Sequence, residues 1–221
     1  MTTILKSEII AKIRRAIDDI LPLATDDFAV NTDNELWQAV QHAVEQLLLE
    51  MPADALIPED GSSQTVVHGS GAADDGTGYI ELPVAFLRFM SLKFSTWPSP
   101  VYALIEPGSD EEMRQRSSWG RGTPEKPRAM IDGTEDEPIL RFWSVGKTGA
   151  TPAYDYTVDI LNYIPMPTVS TVTNPQTGDI IDYSIECALK DVAIKAVIYR
   201  AASIFFEGKK EPETAEKFRN I

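Results

Sequence analysis

The residues able to do chemistry are few. The chain carries two histidines, His42 and His68, and one cysteine, Cys187. No H-x-x-H, C-x-x-C or H-E-x-x-H spacing occurs, so the usual zinc sites cannot be built. Cys187 sits among apolar residues, where a thiol normally serves as a small buried hydrophobe, and a lone cysteine makes no intrachain disulfide. Asp26-Asp27 and Asp74-Asp75 are adjacent carboxylates. Such pairs can hold Ca²⁺ or Mg²⁺, or divide into an acid and a base. Both fall in turn-like sequence without EF-hand spacing, which reads as solvated loop. Gly146-Lys147-Thr148 has the end of a phosphate-binding loop but lacks its upstream glycine. Gly69-Ser70-Gly71 lacks the G-x-S-x-G elbow of a serine nucleophile. The expectation is no enzyme, no resident metal and no cofactor.

What remains is surface chemistry. With 34 acidic and 20 basic residues the formal charge is −14. That balance disfavours general binding to phosphate backbones and favours solubility and low adhesion to DNA. Against it stands a basic island, Arg114, Arg116, Arg121, Lys126 and Arg128. These cations either pair with the chain's own acids or meet an acidic partner. Trp97 and Trp119 adjoin turn residues and are either core or interface anchors. Phe218 and Ile221 close a charged C-terminal segment that is either a free tail or a docking arm.

These groups must be positioned by an α+β chain. Ile9, Ile10, Ile13, Ile17 and Ile20 recur at helical spacing, and Thr32-Asp33-Asn34-Glu35 has the form of a capping box before the stripe Leu36, Val40, Ala43, Val44, Leu47 and Leu48. Residues 1–57 therefore read as an N-terminal helical hairpin. Residues 58–167 read as a β-rich platform with a flexible glycine-rich loop at 69–78. Strands are expected near 64–68, 79–82, 88–95, 101–105, 128–131, 139–144 and 157–164, as an antiparallel meander or small barrel. Ser109 is a plausible N-cap for a short helix through Gln115. Residues 168–207 read as a linker followed by a long helix, Tyr183 to Phe206, packing on the hairpin to complete a helical bundle; 208–221 is the arm. The N-terminus has no long apolar run and no stretch is apolar enough to span a bilayer, so a soluble, cytoplasm-made protein is expected.

Three segments carry a resemblance. They are Leu82-Pro83-Val84-Ala85-Phe86-Leu87-Arg88-Phe89-Met90-Ser91-Leu92, the stretch from Met113 to Pro127 containing R-Q and G-T-P-x-x-P, and the strand pair ending in I-P-x-P at Leu161 to Pro167. Together they resemble the β-rich core of head–tail adaptor proteins of tailed bacteriophages, closest to those of T7-like and crAss-like short-tailed phages. The resemblance covers residues 78–167 in detail. It implies a structural ring subunit of the virion neck, a dodecamer docking under the portal and contacting other neck or tail tube proteins. DNA would pass through its channel without specific binding, during genome retention and ejection, and no membrane is involved. The alternative is a monomeric β-domain that binds a peptide or carbohydrate.

Overall fold

A computed structural model describes residues 1–21, 32–68, 77–117, 119–134, 137–144 and 157–220. In chain order the elements are β1 (Thr2–Leu5), α1 (Lys6–Ile20), α2 (Asp33–Glu50), β2 (Glu59–Asp60), β3 (Val66–His68), β4 (Thr77–Glu81), β5 (Phe86–Phe94), α3 (Asp110–Gln115), β6 (Arg128–Gly133), β7 (Pro138–Trp143), β8 (Val158–Pro165), β9 (Thr168–Thr173), β10 (Ile180–Cys187), α4 (Ile194–Gly208) and α5 (Pro212–Arg219). The class is α+β. The elements fall into two compact units, Met1–Ile57 with Met166–Ile221, and Pro58–Pro165.

The first unit combines four helices with a three-stranded antiparallel sheet in the order β1-β10-β9. The isoleucine stripe of α1 buries Ile9, Ile10, Ile13 and Ile17, as its spacing requires. Leu5 stands at the N-cap of α1 and has no side chain able to accept a hydrogen bond. Asp182 on β10 fills the role from outside, accepting from the Ser7 N–H at 3.3 Å and the Ser7 hydroxyl at 2.5 Å. A carboxylate there satisfies an orphan donor and suits the helix dipole. Burial pushes the Asp182 carboxyl up, but the bonds from Ser7 and from the Tyr183 N–H outweigh it and hold it below the usual range.

The capping box expected at Thr32 does not form. Thr32 already has helical dihedrals, φ −89° and ψ −10°, so its hydroxyl is not placed to accept from the first turn. Its would-be partners are engaged elsewhere. Glu35 pairs with Lys209 at 2.5 Å, Asp33 with Arg14 at 2.5 Å, and Asn34 accepts from Lys6 at 2.8 Å. These contacts tie the start of α2 to α1 and to the end of α4.

The C-terminal part differs most from expectation. Residues 180–187 are a strand, not the first turns of a long helix, and residues 168–173 are its partner, not linker. β10 is central: Thr2 to Leu5 pair with Cys187 to Ser184 on one side, and β9 pairs on the other. The local pattern explains it, since Ile185 and Cys187 are buried while Glu186 between them is exposed, a period of two. Helical spacing begins only after Lys190, where a 3₁₀ turn (Asp191–Ala193) leads into α4. α4 packs against α1, α2 and α5, burying Val197, Ala201, Ala202, Phe205 and Phe206. Residues 212–219 form α5 on the surface of α4, so this segment is not a free arm. Phe218 is 1% exposed and stacks on Phe206 at 5.4 Å between centroids, and Arg219 pairs with Glu207.

The second unit holds two antiparallel sheets, β2-β8-β5 and β3-β4-β7-β6. Strands arise where alternation predicted them, except that 101–105 forms only a bridge from Val101 to Leu92. The two sheets share one apolar cluster, which includes Leu92, Phe94, Trp97, Leu140, Phe142 and Leu161. Trp97 lies at its centre. The ring packs edge-on to Phe94 at 4.8 Å, and its Nε1 donates to Ser144 Oγ at 2.7 Å, so the one polar atom of a buried indole is satisfied.

Truncating Phe218 to Ala is expected to cost about 3–5 kcal/mol of unfolding free energy, because it empties a stacked aromatic site. Asp182→Ala is expected to cost about 0.5–2 kcal/mol as a lost cap. Because the folded Asp182 carboxyl is depressed, its contribution is present above about pH 4 and fades as pH falls through the folded value. Denaturant titrations across that window should show wild type converging on the variant as the pH drops.

Candidate assembly surface

Chemistry-bearing side chains do not converge. Among the described residues there is no group of three or more His, Cys, Asp or Glu placed to hold a metal, and no helix long and apolar enough to cross a membrane. His42 is exposed on α2, 3.9 Å from Glu45, and His68 ends β3 in the other unit. Burial pushes the Cys187 thiol up, away from thiolate chemistry. Asp26-Asp27, Asp74-Asp75, Gly69-Ser70-Gly71 and Gly146-Lys147-Thr148 lie outside the described residues, as does Ile221.

The basic island is the best-defined surface feature. α3 starts with a working cap. Ser109 Oγ accepts from the Glu112 N–H at 3.3 Å, while the Glu112 carboxylate reaches back to the Gly108 N–H at 2.7 Å. That backbone bond, with a second from Arg116, holds the Glu112 carboxyl below its ordinary range. The helix is only six residues long, too short to be stable alone. It is fixed instead by Gln115, which is 2% exposed. Gln115 Nε2 donates to the Glu111 carbonyl at 3.1 Å, its Oε1 accepts from the Gly122 N–H at 2.8 Å, and its own carbonyl accepts from Arg121 Nε at 3.0 Å.

The connector from 116 to 127 is therefore pinned to the helix it leaves. Gly122 must be glycine: a Cβ there would lie 2.4 Å from the Trp143 carbonyl oxygen. Gly120 is equally constrained, 2.7 Å from the Arg114 carbonyl. Thr123 and Lys126 close a small turn with reciprocal backbone bonds of 3.2 and 2.9 Å, and Pro127 is buried behind it. β6 then begins at Arg128.

The five cations separate by environment. Arg116 pairs with Glu112 at 3.2 Å and Arg128 with Glu111 at 3.0 Å. Exposed pairs of this kind add little stability. Arg121 is half-buried and serves the connector. Arg114 and Lys126 are exposed, and neither forms an ion pair among the described residues. Beside them Trp119 is 97% exposed and Met113 61% exposed. At that exposure Trp119 packs on almost nothing among the described residues.

The remaining two anchor candidates are spent inside the chain. Trp97 is 2% exposed in the β-unit core, and Phe218 is 1% exposed between α4 and α5. Neither offers surface to a partner. Sequence reading missed Gln115, the residue that gives the island its fixed geometry. Its only signal is a lone uncharged polar residue between Arg114 and Arg116 on a helix otherwise made of charges and Met113.

No curated protein matches the chain. One family model, described as SU10 adaptor protein, matches residues 4–220.

Gln115→Ala strands the buried Gly122 N–H and is expected to cost about 1–3 kcal/mol. Trp119→Ala should stay within about 0.5 kcal/mol of wild type. Equilibrium unfolding of both variants checks that the first residue builds the surface while the second only presents it.

Proposed function

This chain belongs to the SU10 adaptor protein family, and we infer from that membership that it is a structural phage adaptor of the head–tail junction. From that premise we propose that the protein is one subunit of a ring, a dodecamer in register with the portal, docked beneath the portal and joined below to other neck or tail tube proteins. The carrying observation is the family match over residues 4–220.

Several features support the reading. A charge of −14 suits a wall past which DNA slides, because weak attraction for phosphate lets the genome move at packaging and ejection. Trp119 precedes Gly120, which lies against Arg114, so these two form a patch with an exposed apolar side chain and a cation without an ion pair among the described residues, and Lys126 is a second such cation on the connector. We assign that patch to an acidic face of the portal or of the adjacent subunit, where steering between opposite charges adds rate and register. The protein acts as a scaffold and performs no covalent step.

Mixing the purified chain with the portal of the same phage, followed by light scattering, tests this. A complex whose mass matches one adaptor per portal subunit is the expected result. Arg114→Glu combined with Trp119→Ala should leave the melting temperature in place and weaken that complex by about tenfold or more. A strict monomer with every capsid, portal and tail protein would overturn the ring and favour a monomeric binding domain for a peptide or carbohydrate.

A further inference from the structure

The sheet β1-β10-β9 has two outer edges, and among the described residues neither carries a further strand. Among the described residues β1 is bonded only to β10, and so is β9. No other described backbone group bonds to Thr2–Leu5 or to Thr168–Thr173. Proteins normally protect such edges with lysines, prolines or bulges, since an unpaired strand edge is a template for another strand. β9 reads T-V-S-T-V-T and has none of these inside it. Its residues are exposed except Val172, which is half-buried.

Charge marks the same place. Residues 160–178 contain no Asp, Glu, Lys or Arg, and neither does β1. Two copies of a chain carrying −14 repel each other over most approaches. Neither strand brings a charge of its own to an edge-to-edge meeting, and the charges nearest β1, Glu8, Lys12 and Asp191, are of both signs.

The receiving edge has room. A groove of about 280 Å³ runs beside β1, lined by Thr2 to Leu5 together with Glu8, Ile9 and Lys12 of α1 and with Asp191 and Ile194. Side chains of consecutive strand residues alternate in direction. Lining by all four means that the strand's own backbone edge faces the groove.

An apolar row on the buried face of the sheet reaches the open edge. Ile4, Ile185 and Val169 stand side by side across the three strands. Ile4 and Ile185 are 5% and 1% exposed, but Val169 at the rim is 48% exposed. The row is incomplete by one strand.

We propose that the occupant is a second copy of this chain: β9 of one subunit pairs with β1 of the next, so that the sheet runs from subunit to subunit around the ring. The orientation follows from the topology. β1 and β9 are each antiparallel to β10, so they run in the same direction. Neighbours in a many-membered head-to-tail ring are related by a small rotation, which keeps strand direction. The junction is therefore a parallel one. It adds backbone bonds and seats the Ile4 row of the next subunit beside Val169.

This inference rests on the ring reading, and the test separates the two. The first variant carries Val169→Glu and Thr171→Glu on the open edge. The second carries Thr3→Cys and Ser170→Cys, treated with a short bis-maleimide after assembly on the portal. The native Cys187 is buried and does not compete. We expect the glutamate variant to melt like wild type and to lose ring assembly, and the cysteine variant to give a ladder of linked subunits. Either cysteine alone should give no ladder. Rings that survive the glutamates and give no ladder would overturn the edge pairing while leaving the ring intact. Failure of the wild-type chain to assemble on the portal would overturn both. Should the glutamate variant unfold, the cysteine ladder decides alone.

Discussion

One strand holds the first unit together. Ile180–Cys187 hydrogen-bonds to residues near the N-terminus on one side and to Thr168–Thr173 on the other. Its Asp182 caps α1, and its Ile185 and Cys187 help to fill the interior. The N-terminal strand and the segment that leads into α4 are thereby fixed to the same sheet, and α4 lies against α1 and α2. A chain that begins and ends in one unit and places its other unit between residues 58 and 165 depends on such a clasp.

That strand was also the least legible part of the sequence. From Tyr183 onward the chain is rich in apolar residues with single charges spread among them, Glu186, Lys190, Asp191, Lys195 and Arg200, and over its first turns that pattern fits a helical template as well as a strand template. The deciding signals were local. Asn174-Pro175-Gln176-Thr177-Gly178 separates two short runs rich in threonine, valine and isoleucine, and Gly178 adopts φ +75°, a turn conformation that suits glycine. Taken together these describe a hairpin. The stripes of α1 and α2 were readable because charged residues mark their other faces. The strands of the second unit were readable because alternation and turn residues agree there. The capping box failed for a tertiary reason: Glu35, Asp33 and Asn34 had better partners on α4 and α1.

The surface was legible only in part. A basic island in an acidic chain stands out in composition, but which cations are neutralised depends on Glu111 and Glu112, and sequence spacing alone cannot settle whether they turn toward the arginines. The two tryptophans beside turns were equivalent in sequence. The fold separates them, placing Trp97 against Phe94 and Ser144 and leaving Trp119 outside. Gln115 then explains how so short a helix is held to the connector that follows it.

The proposed function requires that this adaptor close into a ring at the head–tail junction. Electron cryomicroscopy of necks released from virions tests it most directly. The expected result is a ring of copies of this chain in contact with the portal, with the exposed Trp119 buried at a protein interface. A neck in which the chain is absent, or is present as isolated copies bound to the outside, would contradict it.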